Sequence, residues 1–189
     1  MKNTMEKILS TKEIENHIKQ KISVSEYESQ LIEKLESAYH FTDFLNLPGT
    51  YIFSDAEGYH SIGVGDRGER YPDEKPETLE DLCWRIYWGL ASSVSLDTPN
   101  RKVGDWRRDV FKMRLAILTS IDGKYGILGQ KAINEILENA PYDDRPIEER
   151  VQADEALKND PYDGRIDRRK KEVFKDKQKQ GIWKKIFKK

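Results

Sequence analysis

Few side chains in this chain of 189 residues are of types that do chemistry. There are three histidines and one cysteine. His17, His40 and His60 have no metal-ligand spacing with one another or with Cys83. His60 follows Tyr59 on an expected strand. As a general base it would need a nucleophile or an orienting carboxylate, and Asp55 and Glu57 across the turn form only the kind of pairing common in exposed hairpins. Cys83 falls on the inward stripe of a helix beside Trp84, which predicts a small buried hydrophobe, since a reactive thiol needs exposure and a basic neighbour. The string Gly63-Val-Gly-Asp-Arg-Gly68 has the text of a dinucleotide fingerprint. That site needs a helix N-terminus directly behind the glycines, and Glu69-Arg-Tyr-Pro72 stands there instead, so a β-turn is expected. The expectation is a protein that is not an enzyme, with no catalytic residue, cofactor or metal.

Charge says more. Apolar residues make up 37% and charged residues 35% of the chain, a poorer core and a richer surface than an average globular domain. Residues 1–164 hold 21 Lys and Arg against 31 Asp and Glu, a net of −10, while residues 165–189 hold 12 against 3, a net of +9. An acidic body repels nucleic acid and attracts basic proteins; a basic tail does the reverse. Within the body, Asp66 to Asp81 is the densest run, with seven acids against three bases. Trp106-Arg-Arg-Asp109 alternates aromatic and basic residues, as a nucleic-acid platform would, but its flanking acids predict that Arg107 and Arg108 pair with carboxylates. The chain closes on Ile182-Trp-Lys-Lys-Ile-Phe-Lys-Lys189, a cationic amphipathic segment that suits an anionic surface or an acidic one.

The elements that position these residues follow from periodicity. Ser10 with Glu13 is a capping box for a first helix bearing Ile14, Ile18 and Ile22; Ser23 with Glu26 predicts a second, ending near Ala38. After Pro48-Gly49 the period changes to two. Strands are expected at 51–54, 59–64 and 69–71, a small antiparallel meander. Thr78 with Asp81 caps a third helix that is apolar on two sides, which marks it as the central one and Trp88 as buried. A fourth helix is expected from about Val103 to Ile121 with Trp106, Val110, Met113 and Ile117 inward, and a fifth with Leu128, Ala132, Ile133, Ile136 and Leu137 inward. The fold class is therefore α+β: three short strands against about five helices, forming a domain over 1–142. A charged extension over 143–189, acidic then basic, is expected to be partly helical or disordered. In it Pro141-Tyr-Asp-Asp-Arg145 recurs as Pro161-Tyr-Asp-Gly-Arg165 around a charged helix near 147–157. The N-terminus lacks the apolar core of a secretory signal, no apolar run reaches the ~18–20 residues of a membrane span, and a lone cysteine cannot close an intrachain disulfide, so a cytoplasmic location is expected.

The order of motifs carries a resemblance. Gly58-Tyr59-His60 and Arg67-Gly68 precede Leu79-Glu-Asp-Leu82 and Tyr87-Trp88; Arg107-Arg-Asp-Val-Phe111 follows, then Ile136-Leu137 and Pro141-Tyr142. Over roughly residues 45–142 this resembles the immunity protein 63 family of bacterial polymorphic toxin systems. The resemblance implies an α+β protein that binds the C-terminal domain of a cognate secreted toxin and neutralises it, with the family's shared Trp and Arg falling at Trp88 and at Arg67 or Arg108. A toxin that acts on nucleic acid would present a basic cleft, which makes Asp66, Glu69, Asp73, Glu74 and Glu77 the first candidate contact surface. The alternative is a peripheral membrane or nucleic-acid binder working through its basic tail. Because nearly every periodic apolar position precedes Pro141, a fragment ending at Asp144 is expected to melt in one cooperative transition; a non-cooperative melt by circular dichroism would show that the tail completes the core.

Overall fold

The computed structural model describes residues 7–72, 78–97, 105–145 and 149. The chain divides into two compact units, one of residues 1–99 and 109–130 and one of residues 100–108 and 131–189. The expected helix near 147–157, the second copy of the Pro-Tyr-Asp turn and the basic end all lie outside the described residues, as does the start of the fourth helix at Val103.

In the first unit, α1 (Thr11–Ile22) opens on the expected capping box: Glu13 N–H donates to Ser10 Oγ at 3.4 Å and Ser10 N–H donates to Glu13 Oε2 at 2.8 Å. Ile14, Ile18 and Ile22 form its buried stripe. The second capping box does not form. Ser23 ends α1 instead, and α2 (Glu28–Ala38) begins without a side-chain cap. The local signal gives way to a tertiary contact, because buried Ser25 pairs its hydroxyl with that of Ser120 at 2.6 Å and accepts Tyr27 N–H at 3.1 Å.

The sheet has four strands in the order β1 (Tyr39–His40), β2 (Gly49–Asp55), β3 (Gly58–Val64) and β4 (Arg70–Pro72). The β2–β3–β4 part is the expected antiparallel meander. The expectation of a purely antiparallel, three-stranded sheet is corrected by β1, which pairs in parallel with β2 through Tyr39↔Thr50 and His40↔Tyr51. A two-residue strand running straight out of a helix has no period of its own to read. The β2–β3 hairpin closes on Ala56–Glu57, with Asp55 Oδ1 accepting Glu57 N–H at 2.7 Å and Gly58 at φ 127°. Buried Tyr51 accepts Asn46 N–H and Leu47 N–H and donates to Leu47 O, so one hydroxyl holds the loop between β1 and β2. The segment before α1 is tied to the hairpin by Ser54 Oγ donating to Leu9 O at 2.6 Å and Leu9 N–H donating to Tyr59 Oη at 3.2 Å.

Helix α3 (Leu79–Leu96) starts at Thr78 with the expected reciprocal bonds to Asp81. It is buried on both sides, with Leu82, Cys83, Ile86, Leu90 and Val94 on one stripe and Trp84, Tyr87 and Ala91 on the other. Tyr39 packs so closely on Gly89 that a Cβ there would collide with its hydroxyl. One expectation changes here: Trp88 is only half-buried, whereas Trp84 retains 1% of its surface.

Helices α4 (Arg107–Ile121) and α5 (Gly123–Asn139) are joined by Asp122 alone. That carboxylate accepts Lys21 Nζ at 3.0 Å and Lys124 N–H at 3.2 Å, which fixes the corner to α1. Gly126 lets the helices approach, because a Cβ there would strike Thr119. Val110 and Ile117 of α4 are buried as expected, but Trp106, just before the helix, is 41% exposed and Met113 half-buried, while Phe111, Arg114, Leu118 and Ile121 join the buried side. In α5, Tyr125, Gly126, Gly129, Ala132 and Ile133 are buried, and Leu128, Ile136 and Leu137 are intermediate.

These burials rank the tryptophans. Trp84→Ala is expected to cost about 3–5 kcal/mol, the range for deleting a buried large aromatic, and Trp88→Ala clearly less. Equal losses in urea unfolding of the two variants would contradict this packing.

Candidate functional site

The residues singled out from sequence fall into three places. The first is the sheet. Tyr59 is buried and its hydroxyl accepts Leu9 N–H. His60 lies next to it, with Nε2 3.0 Å from Asp55 Oδ1 and its ring stacked on Phe53 at 4.6 Å. His60 and Asp55 lie on paired strands whose backbone ladder holds the hairpin, and His60 Nε2, though close to the carboxylate, makes no hydrogen bond of good geometry. Gly63–Gly68 is a turn, as expected: Gly68 N–H donates to Gly65 O, Gly65 N–H to Glu69 O, and Gly68 takes φ 77°. β4 follows it, so no helix end is available for a phosphate. The turn carries Asp66, Arg67 and Glu69, all exposed, and Arg67 N–H donates to Glu69 Oε2 at 3.2 Å. Two candidate contact carboxylates are thus presented to solvent together, while Asp73, Glu74 and Glu77 lie outside the described residues.

The second place is the face between α3 and α4 in the first unit. Trp88 meets Arg114, whose guanidinium carbon is 4.8 Å from the indole centroid and 5.5 Å from that of Phe111. Of the two arginines that the resemblance pairs with Trp88, Arg67 sits on the β3–β4 turn and Arg108 is engaged elsewhere. Arg114, which the sequence pattern did not single out, is the one stacked on Trp88. A legible signal existed, since Arg114 occupies the position of the Val110–Ile117–Ile121 stripe where an apolar residue belongs. Beside this pair, Trp84 and Tyr87 stack on Tyr125 at 6.4 and 4.8 Å. Cys83 is buried as expected, and burial pushes its thiol up to about 12, which makes it inert. His17 on α1 is half-buried, and burial with the nearby Lys21 charge lowers its pKa.

The third place is the second unit. Asp105, 4% exposed, accepts Arg107 N–H at 3.0 Å, Arg107 Nε at 2.9 Å, Arg107 Nη2 at 2.5 Å and Asp143 N–H at 2.8 Å. Arg107 also donates to Ala140 O and Pro141 O at 2.7 Å. Arg108 grips Asp144 at 2.5 Å, and its guanidinium lies 4.0 Å from the Tyr142 ring. The expected pairing of both arginines with carboxylates is therefore present, and both carboxylates and the ring serve to fasten residues 140–144. The Arg107 guanidinium holds the Asp105 carboxyl well below the usual carboxylate range.

Among the described residues no group of three or more His, Cys, Asp or Glu side chains is placed to hold a metal ion, and no helix is long and apolar enough to cross a membrane. The fold is that of an α+β protein with an acidic hairpin turn and a buried arginine set against a tryptophan. No protein-family model, curated protein or solved structure matches the chain.

Asp105→Ala is expected to cost about 1–3 kcal/mol, the range for losing hydrogen bonds to a charged group. Because the folded pKa is depressed, the carboxylate's contribution is complete above the ordinary Asp value of about 3.9 and fades only as pH falls through the folded value. The destabilisation should thus be constant between about pH 5 and 8, and thermal melts of the variant across that window check both statements.

Proposed function

We propose that this chain is an immunity protein of the interaction class, which binds a cognate toxin domain and blocks a basic surface on it. The observation that carries the reading is the segregation of charge: a net of −10 over residues 1–164, with Asp66 and Glu69 exposed side by side on a hairpin turn. Such a surface raises encounter rates with a basic partner, up to ~10⁸–10⁹ M⁻¹s⁻¹ at low salt. The order of motifs over residues 45–142 supports the same reading. A second reading, attachment of the basic end to an anionic membrane or nucleic acid, is favoured by the net of +9 over residues 165–189, each basic residue near an anionic surface contributing about 1 kcal/mol.

The test is coexpression. The C-terminal domain encoded immediately upstream should arrest growth of a test host alone and fail to do so together with this chain; arrest that persists despite a soluble chain overturns the reading. Exposed carboxylates act at the rim, so Asp66→Asn/Glu69→Gln should slow association with that domain severalfold at low salt and leave dissociation nearly unchanged. The difference should shrink as the Debye length falls from about 30 Å at 0.01 M salt to about 8 Å at 0.15 M. An unchanged association rate in stopped flow at low salt removes the turn from the interface.

A further inference from the structure

Arg114 is 8% exposed and sits in the middle of the buried stripe of α4. The two arginines at the start of the same helix each hold a carboxylate. Arg114 holds none: among the described residues its contacts are the Trp88 and Phe111 rings, and its Nε is buried with no hydrogen-bond acceptor. Burial alone moves its pKa, down to about 10, with no neighbouring acid acting in the other direction. A buried cation is ordinarily paired. The aromatic rings engage the guanidinium, but rings do not accept its planar fork of N–H donors, whose geometry matches the two oxygens of a carboxylate.

We propose that Arg114, with Trp88 beside it, is the receptor for a single carboxylate carried by an Asp or Glu side chain of a partner protein. Charge selects this occupant. One unpaired cation is neutralised by one negative charge, whereas a phosphate group is close to a dianion at neutral pH and would leave surplus negative charge inside a body whose net is already −10. Trp88 is half-buried and Arg114 retains 8% of its surface, so solvent touches both members of the pair. Trp and Arg are also the residue types that dominate binding hot spots, where desolvated pockets take up a partner's side chain. The receptor does not rest on the toxin reading; if that reading holds, the carboxylate belongs to the toxin domain.

The test uses the full chain and small anions. Sodium acetate is titrated at neutral pH against sodium chloride and sodium phosphate at matched ionic strength, with tryptophan fluorescence and melting temperature as readouts. Acetate should give a saturable fluorescence change and raise the melting temperature by a few degrees over chloride; phosphate should do less. Trp88→Phe should lose the fluorescence change and weaken the thermal one, since Trp88 forms part of the receptor. Arg114→Met should lose both and melt no lower than wild type, since replacing an unpaired buried charge by an apolar side chain of similar reach is neutral or stabilising. Absence of an acetate-specific response in wild type overturns the proposal, as does a response that survives in Arg114→Met. A phosphate response equal to that of acetate overturns the assignment to a carboxylate. Should Arg114→Met fail to fold, Arg114 is a structural residue and the proposal falls.

Discussion

The stacking of Trp84 and Tyr87 against Tyr125 is the contact on which the first unit depends. Trp84 and Tyr87 belong to the helix that is apolar on both sides, so α3 can settle only where both sides are covered. The isoleucine stripe of α1 and the leucines of α2 are also buried, and Tyr125 of α5 covers the aromatic stripe of α3. Offset aromatic pairs of this kind add about 0.5–1.5 kcal/mol beyond the area they bury. Lys124–Glu80 at 2.7 Å and Lys21–Asp122 at 3.0 Å then hold the α4–α5 corner against α3 and α1. These last two pairs are partly exposed and contribute little by themselves; their effect is to fix orientation.

The same packing places Arg114 where an apolar side chain would be expected. The magnitudes show how uneven that bargain is. A desolvated cation–π contact returns about 2 kcal/mol, while taking a charged group out of water costs several kcal/mol even after relaxation. On these magnitudes the rings offset only part of the cost of burying the guanidinium, whose Nε has no acceptor. Arg107 and Arg108, both about two turns earlier, are each paired, because Asp105 and Asp144 supply the opposite charge. Three arginines on one helix thus have two different jobs. Two fasten the chain after α5, and the third meets aromatic faces among the described residues.

Charge also separates scaffold from surface. Paired carboxylates such as Asp105, Asp122 and Asp144 are used up in holding helix ends and loops. Asp66 and Glu69 on the β3–β4 turn are exposed, and what orders them is the turn's backbone, through Gly65 and Gly68. A turn fixed by its own main-chain bonds presents charge at little entropic cost, which suits it to steering a partner better than a floppy loop would.

Much of the architecture was already determined by the sequence, because local physics decides it. The capping boxes at Ser10 and Thr78, the isoleucine stripe of α1, the end of α2 at Ala38, the two-sided burial of α3 and the glycine turn at 65–68 all follow from hydrogen bonds and periodicities within a few residues. The acidic character of the body was equally legible, being a matter of counting. What only the tertiary structure decided are the features that depend on distant partners. The cap expected at Ser23 does not form, and Ser25 beside it pairs with Ser120, ninety-five residues away. The strand Tyr39–His40 exists only because β2 lies beside it. On α4 the contact with Trp88 of α3 puts Arg114 on the buried side, and Trp106 before the helix stays exposed, which a hydropathy rule does not contain. The candidate site lies in that last class: sequence supplied Trp88, and packing chose which arginine it meets.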